Sequence, residues 1–134
     1  MTAPSPARPR EAAPALLVLE HWEAFVGWML EHCGRWPRSV RLPLTHRLEG
    51  HALDVLEALV VARFEPRRRA AVLREANLTL ERMRLLWRLA RARGITSTRA
   101  HEKAMRDIDE AGRMLHGWRR RLSQRQPPSR QAGP

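Results

Sequence analysis

Leu73, Ala76, Leu80, Met83, Trp87 and Ala90 recur at alternating spacings of three and four along one uninterrupted stretch. A helix of about 3.6 residues per turn puts all six on one stripe, whereas a strand would scatter them over both faces. No Val- or Ile-rich alternating run occurs anywhere in the 134 residues, and helical spacing returns three more times. The chain is therefore expected to be all-α.

The first helix is predicted from about Ala15 to Gly34, with Ala15, Leu19, Trp22, Val26, Met29 and Cys33 inward and Glu20, Glu23 and Glu31 outward, and "RWPR" stops it at Pro37. The second should start near Pro43 and end at Phe64, with Leu48, Ala52, Val55, Leu59 and Ala62 on one stripe and Leu53, Leu56 and Val60 on another. Pro66 then separates it from the third, about Arg67 to Arg93, where Leu78, Leu85 and Leu89 lie off the seam. Gly94 is placed to cap that helix, and Thr96, Ser97 or Thr98 to cap a fourth that runs to Leu122 and buries Met105, Ile108, Gly112, Leu115 and Trp118. Residues 1–14, with four prolines, and the basic stretch 123–134, with three, read as disordered tails around a single domain at 15–122. Short connections predict an antiparallel four-helix bundle. Its second and third helices carry more apolar surface than one core stripe needs. Either the surplus meets an oligomer partner, or a wide stripe faces two neighbours in the same chain.

The residue types exclude most chemistry. Cys33 is the only cysteine, so the chain can form neither an internal disulfide nor a multi-thiolate metal site, and a reducing, cytoplasmic setting fits. The apolar run "ALLVL" is far too short to span a membrane. Carboxylate-bridged di-iron helices place Glu three residues before His, but Val18, Met29, Pro43, Leu48, Thr98 and Arg113 stand before the six histidines. There is no HExxH motif and no glycine-rich phosphate loop. Cys33 falls on an apolar stripe, where a thiol is inert. No enzyme, metal or cofactor is expected. Gly27, Gly50, Gly112 and Gly117 interrupt helices at roughly 1 kcal/mol each relative to alanine, a cost expected to be offset by close helix packing.

What remains is arginine. Of 25 basic residues 24 are Arg, against 14 acids, for a net charge of +11. That excess points to an acidic partner; the plain alternative is an arginine content that reflects genome composition. Residues 67 to 93 hold nine arginines against Glu75 and Glu81, and Arg74, Arg84, Arg88 and Arg91 cluster on the face opposite the seam. Arg99, Arg106, Arg113 and Arg120 stand seven apart and form a stripe, broadened at its end by Arg119 and Arg121. Trp22, Trp87 and Trp118 occupy apolar registers, so phosphate contact is favoured over base stacking. Ion pairs such as Glu102 with Arg106 and Asp109 with Arg113 would account for part of this face.

The segments "RWPRSVRLPLTHRLEGHALDVLEAL", "REANLTLERMRLLWRLA" and "DEAGRMLHGWRRRL" resemble Avd, the accessory variability determinant of bacterial diversity-generating retroelements. The resemblance covers about Leu16 to Leu122. Glu110, Gly112, Arg113, Met114, Leu115, Gly117 and Trp118 match its most specific motif, while Ala111 stands where Ile is usual and His116 where Gly is usual. Pro37, Arg38, Arg41 and Arg47 match the segment linking the first two helices, with Trp36 in place of Phe and Thr45 in place of Gly. The resemblance implies a homopentameric, positively charged barrel of four-helix bundles. Such a barrel is non-catalytic and binds the retroelement's reverse transcriptase and nucleic acid, supporting mutagenic copying of a template-repeat RNA. The candidate contacts to phosphate or reverse transcriptase are Arg38, Arg41, Arg74, Arg84, Arg88, Arg91, Arg113, Arg119 and Arg120. The alternative is a stand-alone RNA-binding bundle like those encoded in ribosomal-RNA intervening sequences. A purely structural module, whose contacts would survive high salt, is the third reading.

Overall fold

The computed structural model describes residues 9–125. It is all-helical, with four helices packed against one another: α1 (Pro9–Cys33), α2 (His46–Phe64), α3 (Arg69–Ala92) and α4 (Thr98–Arg125). Helices α1 and α3 each pack on both α2 and α4. Among the described residues no helix is long and apolar enough to cross a membrane.

The helix ends follow from local chemistry. Helix α1 begins at Pro9, inside the segment expected to be a tail, and runs through Pro14. A proline's φ suits a helix; what it gives up is one N–H and thus one helical hydrogen bond. The tail expectation for residues 1–8 and 126–134 lies outside the described residues. At the other end of α1, a Cβ on Gly34 would stand 2.9 Å from the Leu30 carbonyl oxygen, so only glycine fits. Pro43 does not open α2 as expected. It sits in a π turn, Arg41–Thr45, where the His46 N–H reaches back to the Arg41 carbonyl, a wider loop that accommodates a residue with no donor. Pro66 starts a 3-10 turn, Pro66–Arg68, ahead of α3. Gly94 has φ +73. Ile95 N–H donates to Ala90 O at 2.9 Å and Gly94 N–H to Arg91 O at 3.1 Å, the two bonds of a Schellman cap. Ser97 Oγ accepts the Ala100 N–H at 3.1 Å and caps α4.

The seams of α2 and α3 are buried as predicted. In α1, Val18 and Phe25 join the core while Leu19 is half-buried. The register of α4 differs from expectation: Ala100, Ala104, Ile108, Ala111, Leu115 and Trp118 are buried, and Met105 and Gly112 sit at its edge. Alanines at three of the six places let the helix come close, a signal hidden when only large side chains are counted. Trp22 Nε1 donates to Ala52 O at 2.8 Å and ties α1 to α2. His21 Nε2 lies 2.8 Å from Asp107 O, joining α1 to α4. Trp28, His32, Trp36 and Trp87 form one aromatic cluster, with Trp28 and His32 stacked 4.9 Å apart. Trp36 is only 7% exposed, so like Trp87 it belongs to the core.

Most of the second apolar stripes is not covered within the chain. On α2 Leu53 and Val60 are exposed, as is Phe64 beyond them, while Leu56 is half-buried against the core; on α3 Leu78, Leu85 and Leu89 are exposed, Leu85 by 56%.

Candidate nucleic-acid interface

The helices are charged unequally. Between Ala15 and Gly34 there is no Lys or Arg, whereas residues 67–93 carry the nine arginines. The resulting field is strongest over α3 and the end of α4.

Several of those arginines are already engaged, Arg68 with Glu65 at 3.1 Å among them. Arg69 folds back to donate Nε to Ala62 O and a terminal nitrogen to Arg63 O at 3.0 Å, capping α2, and its guanidinium lies 5.5 Å from the Trp118 ring centre. Arg82 pairs with Glu75 at 3.2 Å.

Between α3 and α4 lies an open groove of about 550 Å³, lined by Asn77 and Arg84 on α3 and by Asp109, Gly112, Arg113, His116, Gly117 and Arg120 on α4. The α4 residues follow one another at intervals of three, one, three, one and three, a single continuous helical edge. Gly112 makes room for a guanidinium: a Cβ there would stand 3.4 Å from a terminal nitrogen of Arg84 and 3.9 Å from Leu80. At Gly117 an added Cβ would meet nothing within 4 Å. The expectation of close helix packing therefore fails at Gly117, as it does at Gly27 and Gly50, which also face open space. At Gly117 the missing side chain leaves the groove open.

The expected site arginines divide. Arg84, Arg113 and Arg120 meet at the groove. Arg38 and Arg41 are exposed in the link between α1 and α2, Arg74, Arg88 and Arg91 are exposed on α3, and Arg119 is half-buried; none of these six lines the groove. Ion pairing also differs from the expected pattern. Asp109 pairs with Arg84, which is bonded to Glu81 as well, while Arg113 pairs with Glu110. Arg120 makes no ion pair among the described residues. Asn77 and the Arg84–Asp109 pairing were missed in the sequence. The signal available was the seven-residue step from Asn77 to Arg84 facing the α4 edge, legible only once α3 is set against α4.

The remaining reactive groups are quiet. Burial, aided by Glu49, pushes the Cys33 thiol up to about 12, so it stays protonated. His32 and His51 are shifted below the ordinary imidazole range, in both cases chiefly by burial. Among the described residues no three His, Cys, Asp or Glu side chains converge on a point that could hold a metal ion. No protein-family model, curated protein or solved structure matches the chain.

Proposed function

We propose that this chain is a non-catalytic, cytoplasmic accessory protein of a diversity-generating retroelement, an antiparallel four-helix bundle that assembles as a homopentamer and binds both the reverse transcriptase and its template RNA. The observation that carries the reading is the meeting of Arg84, Arg113 and Arg120 at an open groove, on the helices that bear the arginine excess and resemble Avd. Guanidinium groups pair bidentately with phosphate, and a groove lined by no Trp, Tyr or Phe favours backbone contact over base reading. The exposed leucines of α3 and the Leu53, Val60 and Phe64 stripe of α2 supply apolar surface suited to contacts between subunits.

The test is copurification of tagged protein with the reverse transcriptase encoded nearest its gene, in wild type and in an Arg84→Ala, Arg113→Ala, Arg120→Ala variant. Association in wild type that is lost in the variant supports the role. Folded wild type that binds RNA but not the enzyme replaces it with the stand-alone RNA-binding bundle, and binding of the enzyme that is insensitive to salt and to the variant replaces it with a structural module.

A further inference from the structure

The α3–α4 groove combines features that the exposed arginines elsewhere lack. Arg120 and His116 stand at one end opposite Asn77, and Arg84 stands at the other against Asp109. Gly117, where an added Cβ would meet nothing within 4 Å, keeps the floor open between them, and Gly112 leaves room for the Arg84 guanidinium. From Asp109 to Arg120 the α4 edge runs about 16 Å at roughly 1.5 Å per residue, enough for more than one phosphate. A duplex could rest only a ridge of phosphates across the mouth of such a groove, while a single strand could lie along it. Its only carboxylate, Asp109, is spent on Arg84, both guanidinium contacts falling on one oxygen at 2.9 and 3.0 Å.

We propose that this groove is a seat for the phosphodiester backbone of single-stranded RNA, gated by Asp109, which holds Arg84 until a phosphate displaces the carboxylate. Arg120 makes the first contact because it has no ion pair among the described residues to break. Arg113, tied only to Glu110 at the exposed edge, turns in behind it, and Arg84 completes the seat at the far end. Asn77, an amide that both donates and accepts, stands where a ribose 2′-hydroxyl can be met. This rests on the nucleic-acid reading above and deepens it by naming the strand form, the seat and the gate.

The test measures binding of a labelled single-stranded RNA oligonucleotide by fluorescence anisotropy, with the same sequence as single-stranded DNA and as RNA duplex, across about 50 to 200 mM salt. Four variants of the full chain are compared. Gly117→Leu fills the groove without changing charge, Arg120→Gln removes one charge inside it, and Asp109→Asn removes the gate. Arg35→Gln removes one charge far from it, at the end of α1. Circular dichroism confirms that each retains its helix content.

The expected results are that Gly117→Leu weakens single-stranded RNA about tenfold or more, on the scale of one or two lost charge-assisted hydrogen bonds. Arg120→Gln lowers the salt slope by about 0.7, the share of one single-strand phosphate contact, and Arg35→Gln does not. Asp109→Asn should tighten binding about threefold with the salt slope unchanged, because Arg84 reaches the phosphate in both proteins and the variant only removes the carboxylate that competes for its Nε edge, Glu81 still holding the other nitrogen. Wild type should prefer single-stranded RNA to both duplex and single-stranded DNA. If wild type binds RNA but Gly117→Leu and Asp109→Asn leave it unchanged, the groove is not the seat, although the nucleic-acid reading stands. Equal losses in Arg120→Gln and Arg35→Gln would show that net charge alone acts and would also overturn the seat. Folded wild type that binds no RNA at low salt overturns the nucleic-acid reading itself.

Discussion

Arg84 on α3 donates Nε to Asp109 Oδ1 on α4 at 3.0 Å while also bonding Glu81 on its own helix. The Arg84 side chain is 25% exposed and that of Asp109 51%, so solvent screens the pair. Its contribution lies with surface pairs rather than buried ones.

Replacing either residue with alanine is expected to cost no more than about 1 kcal/mol. The double variant should cost less than the sum of the two, because each single change already removes the shared interaction. Urea denaturation of the four proteins measures both quantities. A loss of several kcal/mol would mean that the pair is buried by a partner subunit.

Trp22 and Trp87 are both fully buried, but only Trp22 has a hydrogen-bond partner for its indole N–H; that of Trp87 has none. Trp→Phe leaves a similar void at either place. Trp22→Phe should therefore be the more destabilising by about 1–3 kcal/mol, since at Trp87 the change relieves an unsatisfied donor. Equal losses in chemical denaturation would count against this account.

His32 stacks on Trp28, bonds Thr96 Oγ1 at 3.1 Å, and is held below the ordinary imidazole range by burial and then by Arg35. The unfolded chain therefore binds a proton at a higher pH than the folded one, and stability is fully present above about 6.5 and falls as pH drops toward the folded value. Thermal melts from pH 7.5 to pH 5 should show a larger decline in wild type than in His32→Gln. His51 contributes equally to both and cancels. Parallel curves would remove His32 from the linkage.

Gly94 holds φ +73 at the end of α3. Gly94→Ala should cost about 1–2 kcal/mol and Gly94→Asn less, because asparagine tolerates the left-handed region. The order of the two melting temperatures checks it.

Much of the fold was legible because apolar spacing is a local property. The α3 seam from Leu73 to Ala90 and the α2 stripe from Leu48 to Ala62 could be read one helix at a time, and so could the cap at Gly94, which needs only the neighbouring turn. Pro14 and Pro43 misled because a proline's cost depends on whether its missing donor falls in a helix or in a turn wide enough to absorb it. Ala104 and Ala111 were passed over in favour of Met105 and Gly112 because side-chain size suggested a register that the closeness of neighbouring helices reversed.

The sequence by itself determined the helical class, the burial of the main seams and the concentration of arginine after residue 66, all consequences of period and composition. Only the tertiary structure decided which arginines are spent. Arg69 caps α2, Arg82 and Arg84 are held by carboxylates, and Arg120 is left facing an open groove. An ion pair between residues 25 positions apart, such as Arg84 with Asp109, depends on how two helices are set against each other, and no periodicity within either helix encodes that distance.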